Sequence, residues 1–135
     1  MRRTMLGGKI HRATVTEACV DYEGSISLDT ALLEAAGILP NEQVHVWDVA
    51  NGARFTTYAI PARAGSGACC VNGAAARLVS PGDLVIVAAF VELEDAEARA
   101  WEPRIAFIDE RNRVVTTPAE DAFRGAEEPG AARRG

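Results

Sequence analysis

The strongest constraint on this chain is the spacing of its turns. About seven short runs of β-branched and apolar residues are cut off, roughly every eight to twelve residues, by Gly, Pro, Asn and Asp. Residues 2–6 form a first short run, broken at Gly7-Gly8. From Lys9 to Thr16 the residues alternate, with Ile10, Arg12, Thr14 and Thr16 facing away from Lys9, His11, Ala13 and Val15, which is the period of a strand. Val20–Tyr22 and Ser25–Leu28 read as strand ends on either side of a turn at Gly24. Gln43–Val49 and Arg54–Ile60 alternate again, and Asn51-Gly52 between them is the signature of a tight hairpin. Ala68–Val71 is a short strand ending at Asn72-Gly73. Ser80-Pro81-Gly82-Asp83 is a turn before Leu84–Val91, whose unbroken apolar character predicts burial on both faces. Arg104–Ile108 is a further strand, and Val114–Thr117 an edge strand.

Two helices interrupt the pattern. Asp29 as N-cap and Gly37 just past the end bracket Leu32, Leu33, Ala35 and Ala36 as about two turns. Glu94–Ala100 reads as one or two turns more. The expectation is an all-β barrel with two or three short helices, forming a single domain over residues 1–117. Residues 118–135 are nearly free of aliphatic side chains and predict a mobile tail.

Composition excludes several classes. The 14 basic and 19 acidic residues give a net charge of −5 with no basic face, which argues against nucleic acid. No apolar run approaches the ~20 residues of a membrane helix, and the first dozen residues lack the apolar stretch of a secretory signal. Cys19, Cys69 and Cys70 provide neither a disulfide framework nor metal-ligand spacing, so they read as small core residues in a reducing cytoplasm. Thirteen of the cations are arginine. Lys9 is the single lysine and marks a place where an ammonium is wanted.

The chemistry centres on Tyr22-Glu23-Gly24-Ser25. A serine hydroxyl can attack the carbonyl before it only if that peptide is bent, and glycine tolerates the bend. Gly-Ser alone is equally an ordinary turn. The surrounding motifs change the odds: Gly8-Lys9-Ile10-His11-Arg12, Tyr22-x-Gly24-Ser25, Asn51-Gly52-x-Arg54, Thr57-Tyr58, Val71-Asn72-Gly73-Ala74-Ala75-Ala76 and Pro81-Gly82-Asp83. In this order they resemble the pyruvoyl-dependent aspartate 1-decarboxylases, from Met1 to about Ile108.

That resemblance implies a double-psi β-barrel and a proenzyme that cuts itself between Gly24 and Ser25. The products are a chain of residues 1–24 and a chain of residues 25–135, with Ser25 converted into a pyruvoyl group. No metal and no pyridoxal phosphate are implied. The pyruvoyl ketone forms an imine with L-aspartate, whose α-carboxylate is lost to give β-alanine for pantothenate and coenzyme A synthesis. By the same resemblance Tyr58 donates the proton to Cα, since a phenol is protonated at neutral pH. Thr57 stands by the Gly24 carbonyl during cleavage. Lys9, Arg54, Thr57, Asn72, Gly73, Ala74 and Ala75 bind substrate, with Arg54 as a bidentate carboxylate anchor. His11, Tyr22, Trp47 and Ile60 are supporting residues. Each has a plainer reading: Arg54 and Lys9 as surface charges, Asn72-Gly73 as a type I′ turn, His11 as a hydrogen-bonded structural histidine, Tyr22 as aromatic packing.

Thr57 and Tyr58 point to opposite faces of a regular strand, which fits the homotetramer with active sites between subunits that the resemblance implies. A maturation factor is a further implied partner. Two other readings remain at this level: a decarboxylase on the same fold using Lys9 itself as the Schiff-base amine, and an uncleaved barrel serving as an anion-binding or assembly module.

Overall fold

The computed structural model describes residues 1–115. Eight strands form one mixed sheet in the order β2-β6-β3-β5-β4-β7-β1-β8. They are β1 (Arg2–Thr14), β2 (Glu17–Cys19), β3 (Ser25–Asp29), β4 (Gln43–Asp48), β5 (Arg54–Ala62), β6 (Cys69–Asn72), β7 (Leu84–Glu94) and β8 (Arg104–Phe107). The pairs β1/β8, β2/β6 and β3/β5 are parallel, and the other four are antiparallel. Only Val15 and Thr16 separate β1 from β2, and their amides bond to the carbonyls of Asp83 and Cys69. The chain itself thereby bridges from the β7 side of the sheet to β6, which closes the barrel.

Alternation builds the core. Ile26, Leu28, Val44, Val46, Ala59, Val71, Val85 and Val87 are fully buried at alternating inward positions. The alternation expected over Lys9–Thr16 is broken: Ile10 and Ala13, three residues apart, are both buried, because β1 shifts register between them where Arg12 takes φ 66°. Burying such a side chain contributes about 1.5–3 kcal/mol, so this inner layer holds the barrel shut. Helix α1 (Thr30–Ala36) covers one end with Leu32, Leu33 and Ala36. Its start is as expected: the Asp29 carboxylate accepts from the Ala31 amide, and also from Gly65 and Gly67. Gly37 closes it in the left-handed conformation, φ 69°. Helix α2 (Asp95–Arg99) follows β7 with a capping box between Glu94 and Glu97.

Four expectations need correction. Gly7-Gly8 does not break the first strand, because β1 runs through it with a shift of register between Leu6 and Gly8. The glycines serve close packing: a Cβ on Gly8 would lie 1.8 Å from the Ala36 carbonyl oxygen. Val20–Tyr22 is not a strand end but a turn, with Tyr22 64% exposed. Asn51-Gly52 does not make a two-residue hairpin; β4 and β5 are joined by residues 49–53, capped by the Asp48 carboxylate on the amides of Ala50 and Asn51. Only Gly52 of the pair has positive φ, whereas a type I′ turn needs both. Finally, β7 is not buried on both faces along its length: Val85 and Val87 face the core and Ala88 on the other face is fully buried, but Phe90 on that second face is 38% exposed. The edge strand expected at Val114–Thr117 is represented by an Ile108–Val114 bridge; residues 116–117 and the tail at 118–135 lie outside the described residues.

Candidate active site

Ser25 opens β3 and is 1% exposed. It pairs with Asn72, the last residue of β6, in an antiparallel register. Asn72 is 4% exposed, and its side-chain amide Nδ2 donates to Ser25 Oγ at 3.0 Å and to Ser27 Oγ at 3.1 Å. The Ser25 hydroxyl points towards the Glu23 carbonyl, 3.5 Å away, too long for a strong bond. Its oxygen is thus held from one side while its proton is only loosely engaged.

Gly73 follows Asn72 with φ +80° and begins a 3-10 helix over Gly73–Leu78, rather than a type I′ turn. A Cβ on Gly73 would lie 2.6 Å from Gly24 Cα and 2.8 Å from Gly24 N, so the two glycine backbones are in direct contact. Ala74 and Ala75 lie in this 3-10 helix, the latter packed against the core.

Tyr58 completes the cluster. In the parallel pairing of β3 with β5, Ile26 meets Ala59 and both face the core. Their predecessors Ser25 and Tyr58 therefore share the outward face, and Tyr58 is 36% exposed. Thr57, paired with the buried Val44, is on the opposite face, as expected.

The same outward face continues along the barrel. Arg54 stacks its guanidinium over the Trp47 ring at 4.7 Å, across the β4–β5 pair. Ile60, half-buried, shares this face further along β5. Lys9, in register with Ala88 on β7, lies three strands from Arg54 and four from Ser25. At about 4.8 Å per strand, the last gap is roughly 19 Å along the sheet. Counted along the sheet, then, Lys9 and Ser25 stand four strands apart, and Arg54 is four residues, about 13 Å, along β5 from Tyr58.

A family model described as aspartate decarboxylase matches residues 1–115. The chain belongs to the aspartate decarboxylase family. The aspartate 1-decarboxylase of Myxococcus xanthus is 56% identical over 115 residues, spanning 85% of this chain and 88% of that one. The aspartate 1-decarboxylase of Moorella thermoacetica is 52% identical over 130 residues, spanning 96% and 97%. The crystal structure of the rationally designed mkDPBB_sym_86 protein is similar at 20% identity and a TM-score of 0.44, covering 57% of this chain and 90% of that one. Membership in the aspartate decarboxylase family accords with the mixed, mainly-β architecture observed.

Electrostatics distinguish the cations of this aspartate decarboxylase family member. Burial pulls Lys9 below its ordinary value. His11, edge-on to Phe107 at 5.3 Å, is pushed down to about 4 by burial first and then by the neighbouring charges of Lys9 and Arg12. Its Nδ1 is buried without a hydrogen-bond partner among the described residues. A histidine held neutral in the fold binds its proton more readily when unfolded, so its stabilisation is complete above about pH 6.5 and is lost as pH falls towards 4. Urea midpoints measured between pH 7 and 4.5 are expected to fall across that window, and His11→Gln is expected to flatten the fall. An unchanged slope in His11→Gln would remove His11 from the account.

One functional neighbour was missed. Cys69 is a core residue, fully buried with its thiol pushed up to about 12. Cys70 is not: its sulfur lies 3.1 Å from Asn72 Oδ1. The signal was present in Cys69-Cys70-Val71-Asn72, where residues 70 and 72 must share one face of a strand. Among the described residues no cluster of three or more His, Cys, Asp or Glu is placed to hold a metal ion, and no helix is long and apolar enough to cross a membrane.

Proposed function

We propose that this chain is a proenzyme that cuts itself between Gly24 and Ser25, and then converts L-aspartate to β-alanine and carbon dioxide for pantothenate and coenzyme A synthesis. The observation that carries the proposal is the buried Ser25 oxygen, gripped by the Asn72 amide directly after a glycine pressed against Gly73. In the cleavage, Ser25 Oγ attacks the Gly24 carbonyl carbon, the C–N bond breaks, and the hydroxyl proton passes to the nitrogen, giving an ester. Thr57, on the strand that pairs with β3, is the hydroxyl assigned to stabilise the oxyanion of that step. Loss of the Ser25 Cα proton then breaks the Cβ–Oγ bond, and Gly24 leaves as a carboxylate. Hydrolysis of the remaining enamine releases ammonia and leaves residue 25 as a pyruvoyl group.

The surroundings of residue 25 fit that group: the position is buried, and the Asn72 amide supplies a donor for an oxygen there. Once formed, the pyruvoyl group supplies a ketone for the substrate amine and an electron sink for decarboxylation. The protein's other residues orient and protonate. Arg54, its fork flattened against Trp47, holds one carboxylate. Tyr58, on the face of Ser25, is placed to return a proton to Cα. The four strands between Lys9 and Ser25 along the sheet, and the exposed Phe90, support a homotetramer in which one subunit's cations complete a neighbour's site; its place is the cytoplasm.

Two measurements test this. Arg54→Ala is expected to raise KM for aspartate by roughly 10- to 100-fold, the value of a lost charged hydrogen-bond pair, while cleavage proceeds normally; an unchanged KM would exclude the anchor. Borohydride reduction in the presence of aspartate is expected to mark the fragment beginning at residue 25. An adduct on Lys9, whose burial favours the free amine, would instead establish the lysine mechanism.

A further inference from the structure

The structure assigns a positioning role to Cys70: through Asn72, we propose, its thiol fixes which end of the side-chain amide faces Ser25, and so sets the rate of self-cleavage. This inference rests on the self-cleavage reading above and adds a residue to it. Asn72 has two acceptor partners on its nitrogen side, Ser25 Oγ at 3.0 Å and Ser27 Oγ at 3.1 Å. Hydroxyls donate as readily as they accept, so these two contacts would be satisfied equally by the flipped amide.

The oxygen side breaks the tie. Cys70 Sγ lies 3.1 Å from Asn72 Oδ1, and a thiol is a donor there, since sulfur accepts weakly from an amide. The alternative acceptor, Glu17 Oε2, is farther at 3.9 Å. Burial, then the charge of Glu17, hold the Cys70 thiol above its ordinary value, which keeps the proton on sulfur at neutral pH. The chain of donors therefore runs one way: Cys70 S–H to Asn72 Oδ1, and Asn72 Nδ2–H to Ser25 Oγ.

The direction matters to both halves of the cleavage. A donor on Oγ favours loss of the hydroxyl proton as Oγ attacks the Gly24 carbonyl carbon. In the elimination, the same oxygen departs from Cβ as part of the Gly24 carboxylate, and the donor stabilises the negative charge it gains. A flipped amide would present its own oxygen to that developing charge and repel it.

The test follows conversion of the newly purified full chain into its two fragments by intact mass. Cys70→Ala is expected to mature about tenfold more slowly, the effect of one net hydrogen bond. Cys70→Val, which fills the space without a donor, should be equally slow. Cys70→Ser, which restores the donor, should mature within about twofold of the parent. In an Asn72→Ala background the Cys70→Ala change should add nothing. Cys70→Ala or Cys70→Val maturing at the parent rate would overturn the inference, as would Cys70→Ser being as slow as Cys70→Ala. Failure of the parent chain to cleave, both alone and in a lysate that supplies a maturation factor, would instead defeat the self-cleavage reading.

Discussion

Replacing Ser25 with alanine is expected to leave the chain as a single 14.3 kDa species that releases no carbon dioxide from aspartate. The loss is total because the hydroxyl is both the nucleophile of the cleavage and the source of the ketone. Activity should fall to the uncatalysed background, a drop of about 10⁶-fold or more. The fold should survive. Ser25 Oγ is one of two acceptors for Asn72 Nδ2, and Ser27 Oγ remains at 3.1 Å, so the stability cost is about 1 kcal/mol. Residual β-alanine formation by a well-folded Ser25→Ala chain, at more than a trace of the parent rate, would separate the chemistry from this residue.

Gly73→Ala is the second large effect, and it acts through packing alone. The added methyl would meet Gly24 Cα at 2.6 Å, Gly24 N at 2.8 Å and the Tyr22 carbonyl oxygen at 3.2 Å. All three are backbone atoms and cannot swing aside as a side chain can. The residue also holds φ +80°, which costs an alanine about 1–2 kcal/mol, and forced overpacking adds about 1–3 kcal/mol. Either the turn at residues 22–24 moves, and self-cleavage slows by about a hundredfold or more, or the strain stays and the urea midpoint falls by the equivalent of about 2–5 kcal/mol in sum. Gly52→Ala is the control: its φ is +76° but nothing lies within 4 Å of the new methyl. It should cost about 1–2 kcal/mol and leave cleavage untouched. Gly73→Ala cleaving at the parent rate with the parent stability would refute the contact.

What could be read in the residues divides along physical lines. Local signals held: Asp29 and Gly37 cap α1 because capping is decided by side chains and φ angles within a few residues. The alternation of β4 and β5 held because a strand with one buried face must alternate. Expectations failed where a distant contact overrides a local preference. Gly7-Gly8 reads as a break, but Gly8 is glycine because Ala36 passes behind it. Asn51-Gly52 reads as a tight hairpin, but the Asp48 carboxylate captures two amides and spreads the turn over residues 49–53. Leu84–Val91 reads as doubly buried, and Phe90, 38% exposed, departs from that. At the site, Ser25, Asn72, Gly73 and Tyr58 fall together, which motif order alone did not require. Cys70 was passed over because cysteine reads as a small hydrophobe until its neighbour across one residue is known to face a serine oxygen.

The central claim is that residue 25 stops being a serine. Intact mass of the purified chain, taken before and after a carbonyl reagent, addresses it directly. The account predicts two species, residues 1–24 ending in a free Gly24 carboxylate and residues 25–135 reacting once with the reagent at their first residue. A single unreactive species of 14.3 kDa, in material that decarboxylates aspartate at full rate, would contradict it.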